Sequence, residues 1–125
     1  MEIVHPTLVV EDEALIRMGL VDALEEGGYT VGDCGDGASA MLFIDESTQL
    51  QGLATDIRLG AGPTGWEVAY HARKKYPDIA VVYTTGDSAA DWSAEGVPNS
   101  VMLQKPFAEA QLLTAMGTLL IAAGA

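Results

Sequence analysis

Two kinds of hydrophobic pattern alternate along the chain. Short runs rich in β-branched residues predict strands, and two of them, TLVVE and IAVVYT, are apolar at nearly every position. Continuous apolar runs of this length are typical of strands that are covered on both faces, as in a parallel sheet. The predicted strands are Thr7–Glu11, Thr30–Cys34, Gly52–Thr55, Ile79–Thr84 and Ser100–Leu103.

Longer amphipathic stretches rich in Ala and Leu follow each strand and predict helices. Asp12 and Thr64 stand where side-chain caps are expected. Three methionines, Met18, Met41 and Met116, occur at helical spacings, and we expect them in the core. The predicted helices run from about Asp12 to the Gly27–Gly28 pair, from Ala38 to Thr48, from Thr64 to Tyr76, from Ser88 to Glu95 and from just after Pro106 to Ala122.

The strands and helices form five β–α units in strict alternation, with short loops and no linker or repeat. This order predicts an α/β fold with right-handed crossovers and a doubly wound parallel sheet. We expect residues 1–125 to form a single domain with no output domain. In such folds the functional site lies at the carboxyl ends of the strands.

Charge and composition narrow the possible functions. Eighteen acidic residues against six basic ones give a formal charge of −12, which disfavours binding to nucleic acids and to anionic membranes. No apolar run has the length of a membrane span, and the amino terminus has no secretory signal. The single cysteine, Cys34, excludes an internal disulfide and fits a reducing cytoplasm. His5 and His71 lack the spacing of a zinc site.

Polar side chains that carry chemistry stand at the ends of four predicted strands. Because these ends meet at one edge of a parallel sheet, three acids, a hydroxyl and an ammonium converge there. Neighbouring carboxylates repel one another unless a hard cation such as Mg²⁺ neutralises them. A carboxylate can also attack phosphorus, while a lysine and a threonine suit the new phosphoryl oxygens. The acids are Glu11, Asp12 and Asp56, the ammonium is that of Lys105, and the hydroxyl is that of Thr84 or Thr85.

Five motifs, in this order and on these elements, resemble the receiver domain of two-component response regulators. They are LVVEDE, ATDIRLG, TGWEVA, VVYTTGD and QKPF, and the resemblance covers essentially the whole chain. It implies a flavodoxin-like strand order of 2-1-3-4-5 with five helices.

The resemblance also implies a role for each site residue. Asp56 would be the phosphoacceptor, and Glu11, Asp12 and Asp56 would bind Mg²⁺ together with the backbone carbonyl of Arg58. Thr85, the residue before Gly86, would be the switch hydroxyl, with Thr84 as its less favoured neighbour. Lys105 would pair with the phosphoryl group, and Pro106 would follow it through a cis peptide bond.

Three residues depart from the family pattern. Glu11 stands where aspartate is more common, and Thr64 replaces an aspartate before the third helix. Met102 lies three residues before Lys105, where many members have a Tyr or Phe that moves with the switch hydroxyl. A flexible thioether specifies an active state less sharply than a ring, so we expect a weaker two-state bias.

The resemblance implies a phosphorylation-controlled signalling module rather than a conventional enzyme. It would catalyse its own Mg²⁺-dependent phosphorylation from a histidine kinase or phosphotransfer protein, and its dephosphorylation. A downstream protein would bind the face formed by helix four, strand five and helix five, where Trp92 could take part. Two alternatives remain: a phosphate sink or relay intermediate, and a pseudo-receiver that binds a partner without phosphorylation. A flavin carrier is disfavoured, because the acids of EDEA would repel a phosphate after strand one.

Overall fold

Five parallel strands form one twisted layer in the computed structural model, which describes residues 5–87 and 89–124. The sheet order is β2-β1-β3-β4-β5, and all four pairings are parallel. This order confirms the predicted doubly wound α/β architecture. The strands are β1 (Pro6–Val10), β2 (Thr30–Cys34), β3 (Gly52–Asp56), β4 (Ala80–Thr85) and β5 (Ser100–Gln104).

Five helices connect and follow these strands, close to the predicted positions. They are α1 (Ala14–Glu26), α2 (Gly37–Glu46), α3 (Gly65–Lys75), α4 (Trp92–Glu95) and α5 (Glu109–Ala122). Helix α4 is shorter than predicted, because a 3₁₀ turn over Ala89–Asp91 precedes it. The predicted first residue of that helix, Ser88, lies outside the described residues. No helix in the described ranges is both long and apolar enough to cross a bilayer.

The caps of α1 and α3 differ from each other. Thr64 caps α3 as predicted, since its Oγ1 accepts from the Glu67 amide at 3.3 Å while Glu67 Oε1 accepts from the Thr64 amide at 3.2 Å. The prediction that Asp12 caps α1 is wrong. Glu13 occupies that position without a side-chain capping bond, and the buried Glu11 carboxylate accepts from the Glu13 amide instead, at 3.1 Å.

The alternation of side chains along each strand divides the core between the two faces of the sheet. Leu8 and Val10 pack against α2 and α3, whereas Val9 packs against α1 and α5. The α1–α5 face buries Met116, but Met18 on α1 is 60% exposed, so its predicted place in the core is wrong. The reason is helical phase, since α1 turns its Leu20–Leu24 side toward the sheet.

Helix α3 starts in direct contact with the end of β3. The Gly65 amide donates to the Ile57 carbonyl at 2.8 Å, and a Cβ atom at position 65 would collide with the backbone of Asp56. Glycine at this position therefore lets the helix approach closely enough to fix the backbone on which Asp56 stands.

Candidate functional site

The structure brings three carboxylates together at the carboxyl ends of β1 and β3. Glu11 directly follows β1 and is fully buried, and Asp56 ends β3 and is 8% exposed. Asp12 is exposed at the rim. One oxygen from each of the three carboxylates lies within 4.8 Å of the others. The sheet order makes this possible, because β1 and β3 are adjacent although 45 residues separate Glu11 from Asp56.

Lys105 joins two of these carboxylates. Its Nζ donates to Glu11 Oε1 at 2.7 Å and to Asp56 Oδ2 at 3.0 Å. The backbone that carries this side chain is held to β4, since the Lys105 amide donates to the Thr85 carbonyl at 2.7 Å. The Lys105–Pro106 peptide bond is cis. The ammonium thus lies directly beside the carboxylate of Asp56.

Backbone amides hold the remaining oxygens of the two buried acids. Asp56 Oδ1 accepts from the Ile57 amide at 2.7 Å, and Glu11 Oε2 accepts from the Glu13 amide at 3.1 Å. Because these donors belong to the backbone, the orientation of each carboxylate is set by the loop that follows its strand. Both acids are therefore positioned before any ligand arrives.

Burial and hydrogen bonding oppose each other in their effects on the pKa of Glu11 and of Lys105, and both pKa values are raised. Burial raises the pKa of the Glu11 carboxyl above its ordinary 4.5, an effect that the hydrogen bond from Lys105 opposes only in part. For Lys105 burial lowers the pKa, but the hydrogen bonds to Glu11 and Asp56 outweigh it, and the net pKa is raised above 10.5. The ammonium is therefore charged throughout the physiological range.

The donor set fits a hard divalent cation. Three carboxylates and one ammonium give the cluster a formal charge of −2, and oxygen ligands of this type suit Mg²⁺. The predicted contribution of the Arg58 backbone carbonyl stays a prediction. The Arg58 side chain is exposed, and its Nε donates to Asp87 Oδ1 at 3.0 Å.

The two predicted switch positions lie on β4 and β5. Thr85 is buried at the end of β4, and its Oγ1 accepts from the Asp87 amide at 3.2 Å. Met102 is paired with Tyr83 in the β4–β5 register and packs against the core on the α2–α3 face. Their roles in a switch stay predictions.

One residue that supports the site was not predicted from the sequence. Arg17 on α1 donates from Nη1 to the Glu11 carbonyl at 2.8 Å and from Nε to Asp33 Oδ2 at 2.9 Å. It therefore ties α1 and β2 to the loop that carries the acidic pair. The available signal was scarcity, because Arg17 is one of only six basic residues in a chain of charge −12.

A 2-1-3-4-5 parallel sheet with clustered carboxylates and a lysine at its strand ends is the architecture of a receiver domain. The sequence model of the response regulator receiver domain matches residues 7–117. The chain therefore belongs to the response regulator receiver domain family and to two-component signalling.

Two relatives from Brucella abortus (strain 2308) are similar over most of this chain. The response regulator receiver protein CpdR is 33% identical over 93% of the chain and 97% of its own length. Sensor kinase CckA is 34% identical over 90% of the chain, which spans only 12% of that protein.

Solved structures agree with this assignment. A response regulator receiver protein from Sinorhizobium medicae WSM419 superposes with a TM-score of 0.94 and 37% identity, covering 96% of this chain and 97% of that one. The receiver domain of sensor histidine kinase PA1611 from Pseudomonas aeruginosa PAO1 superposes with a TM-score of 0.80 at 20% identity, covering 94% and 98%. That structure has a magnesium ion coordinated in its active site cleft.

Proposed function

We propose that this receiver domain accepts a phosphoryl group on Asp56 from a histidine kinase or phosphotransfer protein and signals through protein contact. The observation that carries the proposal is the double hydrogen bond of Lys105 Nζ to Glu11 and Asp56 inside a three-carboxylate cluster. Bound Mg²⁺ would neutralise the carboxylates and the incoming phosphoryl oxygens. The binding residues would be Glu11, Asp12 and Asp56, with the Arg58 backbone carbonyl.

The protein's own groups divide the chemistry among them. A carboxylate oxygen of Asp56 attacks phosphorus, so a P–O bond forms while the P–N bond to the donor histidine breaks, and the nitrogen keeps the electron pair. Lys105 stabilises the phosphoryl oxygens, and Thr85 donates to one of them. Water later attacks the phosphorus atom and releases inorganic phosphate, which restores the Asp56 carboxylate.

Intact-mass spectrometry with acetyl phosphate tests the acceptor. In the presence of Mg²⁺ the wild-type protein should gain one phosphoryl group, and Asp56→Asn should gain none. Asp22→Asn, which changes an exposed acid of α1, is the matched control and should react like the wild type. An adduct on Asp56→Asn would show that another residue is the acceptor. A wild type that neither reacts nor binds beryllofluoride would favour the pseudo-receiver.

Calorimetry tests the cation. Mg²⁺ should bind the wild-type protein, and at one hundred times the dissociation constant it should add about 2.7 kcal/mol of stability by linkage. Asp12→Ala should bind Mg²⁺ much more weakly, whereas Asp22→Ala should not differ from the wild type. Equal binding by Asp12→Ala and the wild type would contradict the proposed ligand set.

The kinase is expected to dock against α1. This helix begins beside the acidic pair and presents Leu15, which is 86% exposed, and Met18 to solvent. Exposed apolar side chains next to the reactive carboxylate suit a partner that must bring its phosphohistidine to Asp56. Leu15→Ser with Met18→Ser should slow phosphotransfer from the kinase while leaving the reaction with acetyl phosphate unchanged.

The free thiol Cys34 suits the reducing cytoplasm that we propose for this pathway.

The output surface is proposed to be the face of α4, β5 and α5. NMR with and without beryllofluoride should show shifts that extend from Asp56 to Thr85, Ala89 and Met102. Replacing Met102 by Tyr should separate the two states more sharply, because a ring fills one defined space. Shifts limited to the neighbourhood of Asp56 would favour the phosphate sink or relay intermediate over a switched contact.

A further inference from the structure

A buried hydroxyl stands out beside the acceptor. Thr84 is 1% exposed, and within residues 5–87 and 89–124 its Oγ1 is the one buried side-chain polar atom without a hydrogen-bond partner. Buried hydroxyls are nearly always paired, because leaving one unpaired costs folding free energy. A threonine in this position therefore calls for a physical reason.

The strand register puts Thr84 next to Asp56. The two are Cα partners across the β3–β4 pair, and Thr84 is also paired with Leu103 on β5. Side chains alternate along a strand, so Thr84 shares a face with Val82, and Asp56 shares a face with Ala54. Val82 and Ala54 both pack in the α1–α5 core. Thr84 and Asp56 therefore lie side by side on the same face of the sheet.

Packing does not explain the hydroxyl. Valine has nearly the same volume and would remove the unpaired oxygen. Other buried threonines of the sheet do have partners: Thr55 Oγ1 donates to the Asp56 carbonyl at 2.8 Å, and Thr7 Oγ1 donates to the His5 carbonyl at 3.2 Å. Within the described ranges, the buried hydroxyl without a partner is the one whose residue is paired with Asp56 across the sheet.

In the resting site both oxygens of Asp56 already have donors, from Ile57 and Lys105. A group added to Asp56 brings new acceptor atoms, which need further donors. We propose that the Thr84 hydroxyl then donates to the modified Asp56 group, so that Thr84 favours the modified state over the resting one. This inference rests on the proposed function, because it requires Asp56 to be the residue that is modified.

Thr84 then acts as a positioning residue, and removing its hydroxyl should change stability and ligand affinity in opposite directions. A ligand shifts an equilibrium only by its differential affinity for the two states. Removing the hydroxyl should relieve the resting state of an unpaired donor and deprive the modified state of a hydrogen bond. Stability without ligand and affinity for a phosphoryl mimic should therefore change in opposite directions.

The experiment combines urea unfolding with calorimetric titration of beryllofluoride at fixed Mg²⁺. Thr84→Val should unfold at higher urea than the wild type yet bind beryllofluoride about tenfold more weakly. Thr84→Ser keeps the hydroxyl and should bind beryllofluoride like the wild type. Thr7→Val is the matched control at the far end of the sheet, where the hydroxyl has a partner: it should lose stability and keep its affinity.

Two results would overturn the inference while leaving the proposed function intact. Equal beryllofluoride affinity of Thr84→Val and the wild type would show that the hydroxyl does not reach the modified group. Lower stability of Thr84→Val would show that the hydroxyl is already paired in the resting state, for instance with water. A wild-type protein that binds no beryllofluoride with Mg²⁺ would instead overturn the proposed function, and the inference with it.

Discussion

Helices α3 and α4 follow the two strands that end in Asp56, the proposed acceptor, and Thr85, the proposed switch residue, yet they are anchored very differently. Helix α3 has eleven residues, a two-way capping box at Thr64 and four buried residues, Gly65 among them. Helix α4 has four residues, of which none is buried, and Asp91 at its amino terminus makes no side-chain capping bond. Its Trp92 is held by a hydrogen bond from Nε1 to Ser100 Oγ at 2.9 Å.

This difference indicates how a signal could leave the site. The start of α3 packs directly against the backbone of Asp56, which restricts movement of that backbone. The segment after Thr85 loses little burial when it rearranges, and elements with few buried contacts are the ones that open at low free energy. We therefore expect the α3 side of the site to keep its geometry and the α4 side to be the part that can rearrange.

Breaking the rigid side should have the largest effect. In Gly65→Ala the new Cβ collides with the backbone of Asp56, and overpacking of this kind should cost about 3 kcal/mol. Urea unfolding gives the value. Gly19→Ala is the control, because nothing lies near a Cβ there and alanine should raise the stability of α1 by about 0.5–1 kcal/mol. An unchanged free energy of unfolding for Gly65→Ala would mean that α3 does not hold the backbone of Asp56 in place.

Hydrogen exchange compares the two helices directly. The Tyr76 amide donates to Ala72 at the end of α3, and the Gly96 amide donates to Trp92 at the end of α4, both at 2.8 Å. The two hydrogen bonds therefore have the same length, so a difference in exchange between these amides would reflect how firmly each helix is anchored. We expect the Tyr76 amide to be protected at least about a hundredfold more strongly than that of Gly96. Similar protection would mean that α4 is as firmly held as α3.

The two amino-terminal caps provide a smaller test. Thr64→Ala removes a side-chain hydrogen bond to the Glu67 amide and should cost about 1 kcal/mol. Asp91→Ala occupies the same position of α4, where there is no such bond to lose, and should change the unfolding free energy by only a few tenths of that. If both variants lost the same free energy, the contrast in capping would have no energetic meaning.

The smallest expected effect is on the pH dependence of stability, because the hydrogen bond from Lys105 offsets part of the pKa shift that burial causes in Glu11. The folded-state pKa of Glu11 is raised above 4.5, so the folded protein binds this proton more tightly than the unfolded chain does. Ionisation of Glu11 therefore lowers the free energy of unfolding as pH rises from 4.5 through the raised pKa. Well below pH 4.5 the carboxyl is protonated in both states, and this effect disappears. Urea unfolding over this range should show a weaker pH dependence for Glu11→Gln than for the wild type. An identical dependence would assign the effect to other groups.

Much of the site was predictable because its residues stand at strand ends. The hydrophobic runs locate where each strand stops, and parallel pairing brings those ends together, so Glu11, Asp56 and Lys105 could be identified as neighbours. Their hydrogen bonds could not, because these depend on loop backbone: the Glu13 amide takes up a Glu11 oxygen, and Asp12 is left without the capping role predicted for it. The contact of Arg17 with this loop could not be predicted for the same reason, since the group that it binds there is a backbone carbonyl.

The sequence by itself determined the order of elements, the class of fold and the set of chemical groups at the sheet edge. These follow from local periodicity and residue type, which act over a few neighbouring positions. Tertiary structure alone decided which of two adjacent threonines lies on the face of Asp56, that Met18 is exposed, and that α4 shortens to a single turn. The physical reason is that register, helical phase and competition for backbone partners depend on contacts between residues far apart in the chain.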